Sequence, residues 1–220
     1  MFDKHKAEKA AAEHAVEVER LRAEAQRSHD LWQAAKLDGT MMASSEGLIL
    51  KKGEVAYGSV KGAGLVEPRR LPGHWAGGSH GVSIHVAKGL NYRVGQSRGT
   101  FTQGAEVPTV IDTGLFTITN QRCVFVGPKR SVEWAYAKLL GFSLEAHATA
   151  IFNVSNRQKA SGVTYPAQFE ATCGTIIAAA IAQFQGDDNH RAFVAEMEGE
   201  YSSAWHAWNA LQAEGPAALA

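Results

Sequence analysis

Cysteine is scarce in this chain: Cys123 and Cys173 are the only two in 220 residues. Two are too few for a disulfide framework, and their separation matches no metal-ligand spacing. Cys123 falls in an apolar strand-like stretch and Cys173 in an apolar helix-like one, so both read as buried free thiols of a reducing cytosol. Excess charge is missing too. Lys plus Arg and Asp plus Glu each number 22, for a formal net charge of zero, so no global field draws the chain toward nucleic acid or an anionic membrane. Nor is there a long apolar run. The longest, Ile176 to Ala182, falls far short of the roughly 20 residues that span a bilayer. The N-terminus, MFDKHKAEKAAAEHAVEVER, is charged throughout and lacks the apolar core of a secretory signal. The expectation is a cytoplasmic protein, at most peripheral at a membrane.

Recognisable nucleotide chemistry is absent as well. Gly58, Gly62 and Gly64 do not make G-x-G-x-x-G, and no G-K-[ST] follows them, so a phosphate loop is not supported. What is present is ordinary for a soluble domain, with 45% hydrophobic and 20% charged residues. The length allows one good core with helical additions, or two small domains.

The organising stretch is Asp112 to Trp134, DTGLFTITNQRCVFVGPKRSVEW. Leu115 to Thr119 is β-branched and aromatic, with Phe116 and Ile118 on one face. Asn120-Gln121 interrupts it where a hairpin turn would sit. Cys123 to Val126 resumes the strand, and Gly127-Pro128 ends it because proline has no N–H for the ladder. Lys129 and Arg130 fall in that second turn.

Around this meander the chain reads in three parts. Residues 1–39 are an amphipathic helix, rich in Ala, Glu, Lys and Arg, ending at Asp38-Gly39. Its stripe of Ala11, Val18, Leu21, Ala25 and Trp32 resembles a weak coiled-coil seam, interrupted by His14 and Ser28. The helix therefore either docks on the rest of the protein or pairs with another helix. Residues 46–185 form the β domain and its capping helix. Leu48 to Leu50 reads as a strand and Lys51 to Glu54 as a turn. Val55 to Val60 is a second strand, Gly62 to Gly64 a flexible break, and residues 73–81 a glycine-rich loop. Val82 to Ala87, Tyr92 to Val94 and Gly99 to Thr102 continue the β rhythm, as do Ala135 to Leu144 and His147 to Val154. Seven or eight short strands suggest an antiparallel sandwich or small barrel within an α+β fold. Phe169, Cys173, Ile176, Ile177, Ala180, Ile181 and Phe184 then recur at helical spacing. Residues 186–220 hold a final helix bearing Phe193, Met197, Tyr201, Trp205 and Trp208, with a frayed tail.

Gly114, Leu115, Ile118-Thr119, Arg122 and Phe125, with Gly53-Glu54 before them and Trp134 after, resemble the GRAM and bacterial pleckstrin-homology-like domains over residues 46–185. The resemblance implies a bent antiparallel sheet of about seven strands capped by a C-terminal helix. It also implies a module that binds lipid head groups or proteins and is rarely an enzyme. The glycine-rich insertion at 73–81 departs from that pattern.

Chemistry-bearing residues are few. Gly77-Gly78-Ser79-His80-Gly81 matches G-x-S-x-G, but that elbow needs a strand before the serine and a helix after it, and here a loop precedes and a strand-like stretch follows. A hairpin loop is the simpler reading, and a serine hydrolase using Ser79 is the rival. His74, His80 and His85 lie near each other without cysteine or paired carboxylates, so they read as loop histidines, not metal ligands. Lys51, Lys52, Arg69, Arg70, Lys129 and Arg130 fall in turns and would form an anion-binding rim if those turns met at one end of a barrel. Leu21, Trp32, Trp205 and Trp208 are candidates for partner binding, or pack together as a helical layer. Aromatics that might stack bases sit at strand positions that core packing explains, which disfavours nucleic acid. The expected protein is a non-enzymatic binding module without a cofactor. It would recognise a protein partner or an anionic lipid head group, or else serve as a structural protein that self-associates through its helices.

Overall fold

The computed structural model describes residues 2–38, 48–70, 74–76, 100–102 and 106–214. In chain order the elements are helix α1 (Phe2–Ala35), strands β1 (Ala56–Arg70), β2 (His74–Ala76), β3 (Thr100–Thr102), β4 (Glu106–Thr119), β5 (Arg122–Val126), β6 (Ser131–Ala135), β7 (Leu139–Glu145), β8 (Thr149–Val154) and β9 (Ser161–Thr164), then helices α2 (Glu170–Gln185) and α3 (Asp187–Glu214). The fold is α+β. Two compact units are formed, Met1–Val66 with Val110–Ala220, and Glu67–Thr109. In the smaller unit β2 and β3 pair antiparallel, Trp75 opposite Phe101, and the Arg70 guanidinium meets Glu106 at 3.0 Å.

The larger unit holds an antiparallel sheet in the order β6-β5-β4-β1-β9-β8-β7. It is open, with β6 and β7 as edges, so of the expected sandwich or small barrel the closed barrel is not formed. Side chains, not main-chain pairing, draw its two ends together. Trp134 of β6 stacks on Phe152 of β8 at 4.9 Å, and its indole N–H donates to Ser161 of β9 at 3.0 Å. Two local expectations are also corrected. Leu48 to Leu50 is an extended lead-in and not a strand. Gly62 to Gly64 is no break but lies inside β1. A Cβ at Gly64 would come within 2.8 Å of Val110 and 2.9 Å of Thr164, so the neighbouring strands press closely on a residue without a side chain. The meander appears where expected, Ile118 opposite Cys123 and Cys123 opposite Trp134. The expected strand from Ala135 is delayed by a 3-10 turn at Tyr136–Lys138, whose Tyr136 N–H returns to the Gln121 carbonyl.

The sheet face carrying Phe116, Ile118, Trp134 and Phe152 is covered by α2, which contributes Cys173, Ile176, Ile177, Ala180 and Ile181 to one buried cluster. α1 packs on α3 and α2 within the chain. His14, which seemed to break the α1 stripe, belongs to it. Its Nε2 donates to the Leu211 carbonyl at 3.0 Å, and at the other end His190 of α3 donates to the Ala35 carbonyl at 2.8 Å. None of the described helices is long and apolar enough to cross a membrane.

The sheet end nearest Asn120 is fixed by a buried ion network. Arg122 donates through Nε to Glu54 Oε1 at 2.7 Å and through Nη2 to Glu54 Oε2 at 3.0 Å. Its Nη2 also reaches the Ile49 carbonyl at 3.1 Å, and its Nη1 meets Glu133. Thr119 adds its hydroxyl to Glu54 at 2.8 Å. Burial alone would raise the Glu54 carboxyl, but hydrogen bonds from Arg122, the Lys51 N–H and Thr119 outweigh it and hold the group below its ordinary 4.5. A folded-state value below the unfolded one gives stability that is present above about pH 4.5 and lost as pH falls through the folded value. We therefore expect Glu54→Gln to cost roughly 3 kcal/mol at neutral pH, because it strips the buried guanidinium of its fully buried, doubly bonded anion. Urea unfolding followed by tryptophan fluorescence checks this: the wild type should lose stability between about pH 5 and pH 3, and the variant should lose less. Equal slopes would show that Glu54 does not carry the effect.

Candidate functional site

The β7–β8 hairpin closes through Ala146, His147 and Ala148, between the paired Glu145 and Thr149. His147 has φ 62° and Ala148 φ 52°, a region that costs a residue with a Cβ about 1 kcal/mol or more. The surroundings hold both in place. Glu170, the first residue of α2, accepts the Ala148 N–H at 3.2 Å. The Ala148 carbonyl accepts the Tyr165 N–H at 3.0 Å. The His147 carbonyl accepts the hydroxyls of Thr149 at 3.1 Å and Thr164 at 3.3 Å. The α2 N-terminus thus pins the hairpin tip in a strained form, as functional clefts often require.

Between this tip, α2 and α1 lies a cleft of about 430 Å³, within the range of ligand pockets. Leu31 of α1, Leu144 of β7 and Tyr165 line it together with Glu170, whose carboxylate holds the Ala148 N–H, and with Glu145, whose carboxylate accepts the Ser143 hydroxyl on the other face of β7. On the α2 side the buried Gly174 lets Leu144 pack close. A Cβ there would sit 2.9 Å from Leu144 Cδ1, so any side chain would compete for the space Leu144 and an occupant need. The Tyr165 ring is buried and stacks on Phe116 at 6.3 Å, and burial pushes its hydroxyl well above the ordinary value, keeping it neutral. Glu145 and Glu170 are both exposed. No Lys or Arg is among the described lining residues. Such a cleft suits an apolar side chain accompanied by a cation and opposes an anion.

Of the six cations expected to form one rim, Lys51 and Lys52 lie at the opposite end of β5 from Lys129 and Arg130. Lys51 and Lys52 sit at the Asn120 end of the sheet, where Lys51 meets Glu133 at 3.1 Å and the Lys52 carbonyl accepts from Gln121. Lys129 and Arg130 lie in the β5–β6 turn, at the far end of β5. A five-residue strand separates the two pairs by about 16 Å. That turn is organised by Asp112, which accepts the Lys129 and Arg130 N–H groups at 3.0 and 2.9 Å. Arg69 and Arg70 belong to the smaller unit and pair with Glu67 and Glu106. Ser79, His80 and His85 lie outside the described residues.

The aromatic candidates face one another. Trp32 stacks on Tyr201 at 5.4 Å with Lys36 over its ring, Trp205 packs edge-on against Trp208 at 4.9 Å, and Leu21 is half-buried. Trp205 keeps 42% of its surface exposed. Cys123 and Cys173 are fully buried, and burial pushes both thiols up to about 12, which makes them poor nucleophiles. Among the described residues no three His, Cys, Asp or Glu side chains gather as a metal would require. The sequence reading missed Glu145, Glu170 and Gly174. The one available signal was the glycine inside an otherwise unbroken apolar helix, a position that usually has a packing reason.

Glu170→Ala should free the hairpin tip while Glu170→Gln keeps an acceptor. Amide hydrogen exchange at Ala148 is expected to accelerate by about tenfold in the alanine variant and little in the glutamine one. Unchanged exchange in both would mean that Glu170 does not hold the tip.

No protein-family model, no curated protein and no solved structure matches this chain.

Proposed function

We propose that this chain is a non-enzymatic binding module for a protein partner, and that the cleft between α2 and the β7–β8 hairpin receives an apolar side chain flanked by a cation. The observation that carries this is the cleft itself, lined by Leu31, Leu144 and Tyr165 with the exposed Glu170 beside them. Burial of one apolar side chain supplies affinity, and the Glu170 carboxylate selects the charge beside it. The dispersal of Lys51, Lys52, Lys129 and Arg130 along β5 supports a protein partner over a lipid head group. The packing of α1 on α3 leaves less support for assembly through α1. An antiparallel sheet followed by an apolar helix accords with the pleckstrin-homology-like reading, in which binding modules are usual.

Gly174→Leu tests the proposal, because its side chain would displace the tip of Leu144 and occupy the cleft, with urea unfolding as the check that the variant folds. Peptides selected from a random display library on the full chain should carry an apolar residue next to Lys or Arg. They should lose binding to Gly174→Leu and bind Glu170→Gln more weakly. Lys129→Glu/Arg130→Glu should bind them unchanged. Selected peptides indifferent to Gly174→Leu would sink the cleft. Anionic liposomes that bind the wild type and release Lys129→Glu/Arg130→Glu would favour the head-group reading instead.

A further inference from the structure

We infer that the partner binds in extended form, as an additional strand on the open edge of β7, with one side chain lowered into the cleft. This rests on the cleft being a protein-binding site and adds the conformation and chemistry of the occupant. The sheet has two edges, and they are treated differently. On β6 the central residue is Glu133, tied to Arg122 and Lys51, and Arg157 donates to the Glu133 main-chain carbonyl at 3.3 Å. Charge and a guanidinium cap are ordinary ways of blunting an edge. β7 has neither along Leu139 to Leu144. Its sequence LLGFSLE contains no proline, and its one charge is Glu145, the last residue. Leu140 is 75% and Leu144 49% exposed. Among the described residues no strand but β8 pairs with it.

The edge and the cleft share residues. A register irregularity falls between Leu139 and Gly141, after which Phe142 to Glu145 pair without interruption with Phe152 to Thr149. Leu144 and Glu145 in that regular run also line the cleft. A segment hydrogen-bonded along this run therefore passes the cleft mouth, and the alternation of a strand directs every second side chain to the cleft side. Main-chain bonds supply affinity that does not depend on sequence. The cleft selects an apolar residue, and Glu170 selects a Lys or Arg near it.

The probe is a blocked hexapeptide of alternating Lys and Leu, labelled for fluorescence anisotropy and titrated into the full chain. Two further versions carry N-methyl groups, one on all the Lys amides and one on all the Leu amides. In an added strand the two sets of N–H groups point to opposite edges. One methylated version should bind at least about tenfold more weakly and the other nearly unchanged. If both methylated peptides bind as well as the parent while Gly174→Leu abolishes all binding, the cleft stands and strand addition fails. If no version binds at millimolar concentration, both fail. A dimer in sedimentation that Leu140→Lys dissociates would assign the edge to a second copy and overturn the proposal.

Discussion

The guanidinium of Arg122 is the point on which this sheet depends. Taking it and Glu54 out of water costs several kcal/mol per charge, and the geometry offsets that cost only because its donors find acceptors. Both Glu54 oxygens, Glu133 and the Ile49 carbonyl are used. Four stretches of chain thereby meet: the lead-in at Ile49, the turn before β1, the β4–β5 corner and the edge strand β6. Weaker contacts then gather around the same corner, among them Asn120 with the Val55 N–H and the Gly53 carbonyl. Gly53-Glu54, Thr119 and Arg122, short pieces of the sequence pattern that suggested a pleckstrin-homology-like domain, come together here. In this molecule they do structural work at one end of the sheet, far from the cleft.

What could be read in the sequence was local. The helical composition of α1, the apolar stripe of α2 and the alternation through Phe116 and Ile118 each follow from neighbours a few positions apart. The turn at Asn120-Gln121 follows in the same way. Gly62 to Gly64 was read as a break because glycine is flexible by itself; it stays in β1 because Val110 and Thr164 crowd Gly64 from strands distant in sequence. The rim failed for a related reason. Turn residues are easily recognised, but which end of a sheet each turn occupies depends on strand order, and alternate turns of a meander lie at opposite ends. His14 shows the reverse error: a polar residue that spoiled an apolar pattern gains a carbonyl partner on α3.

The cleft was invisible for a stronger reason. It is made by what α2 lacks at Gly174, by a leucine on an edge strand, and by a hairpin tip held in left-handed conformations through Glu170. None of these has a motif. Together they shape the β7 side, while the β6 side is charged, capped and occupied with holding the sheet. The helical pair α1 and α3 uses most of its aromatic surface on itself.

The two cysteines give the molecule a particular relation to its chemical surroundings. A thiol reacts as its thiolate, and burial suppresses that form in both Cys123 and Cys173. One belongs to β5 and the other to the face of α2 laid on the sheet. Oxidants and electrophiles in the surrounding solution meet them only in chains whose helix has lifted from the sheet. The rate of sulfhydryl damage in this protein therefore reports how often it opens as well as how much reagent surrounds it.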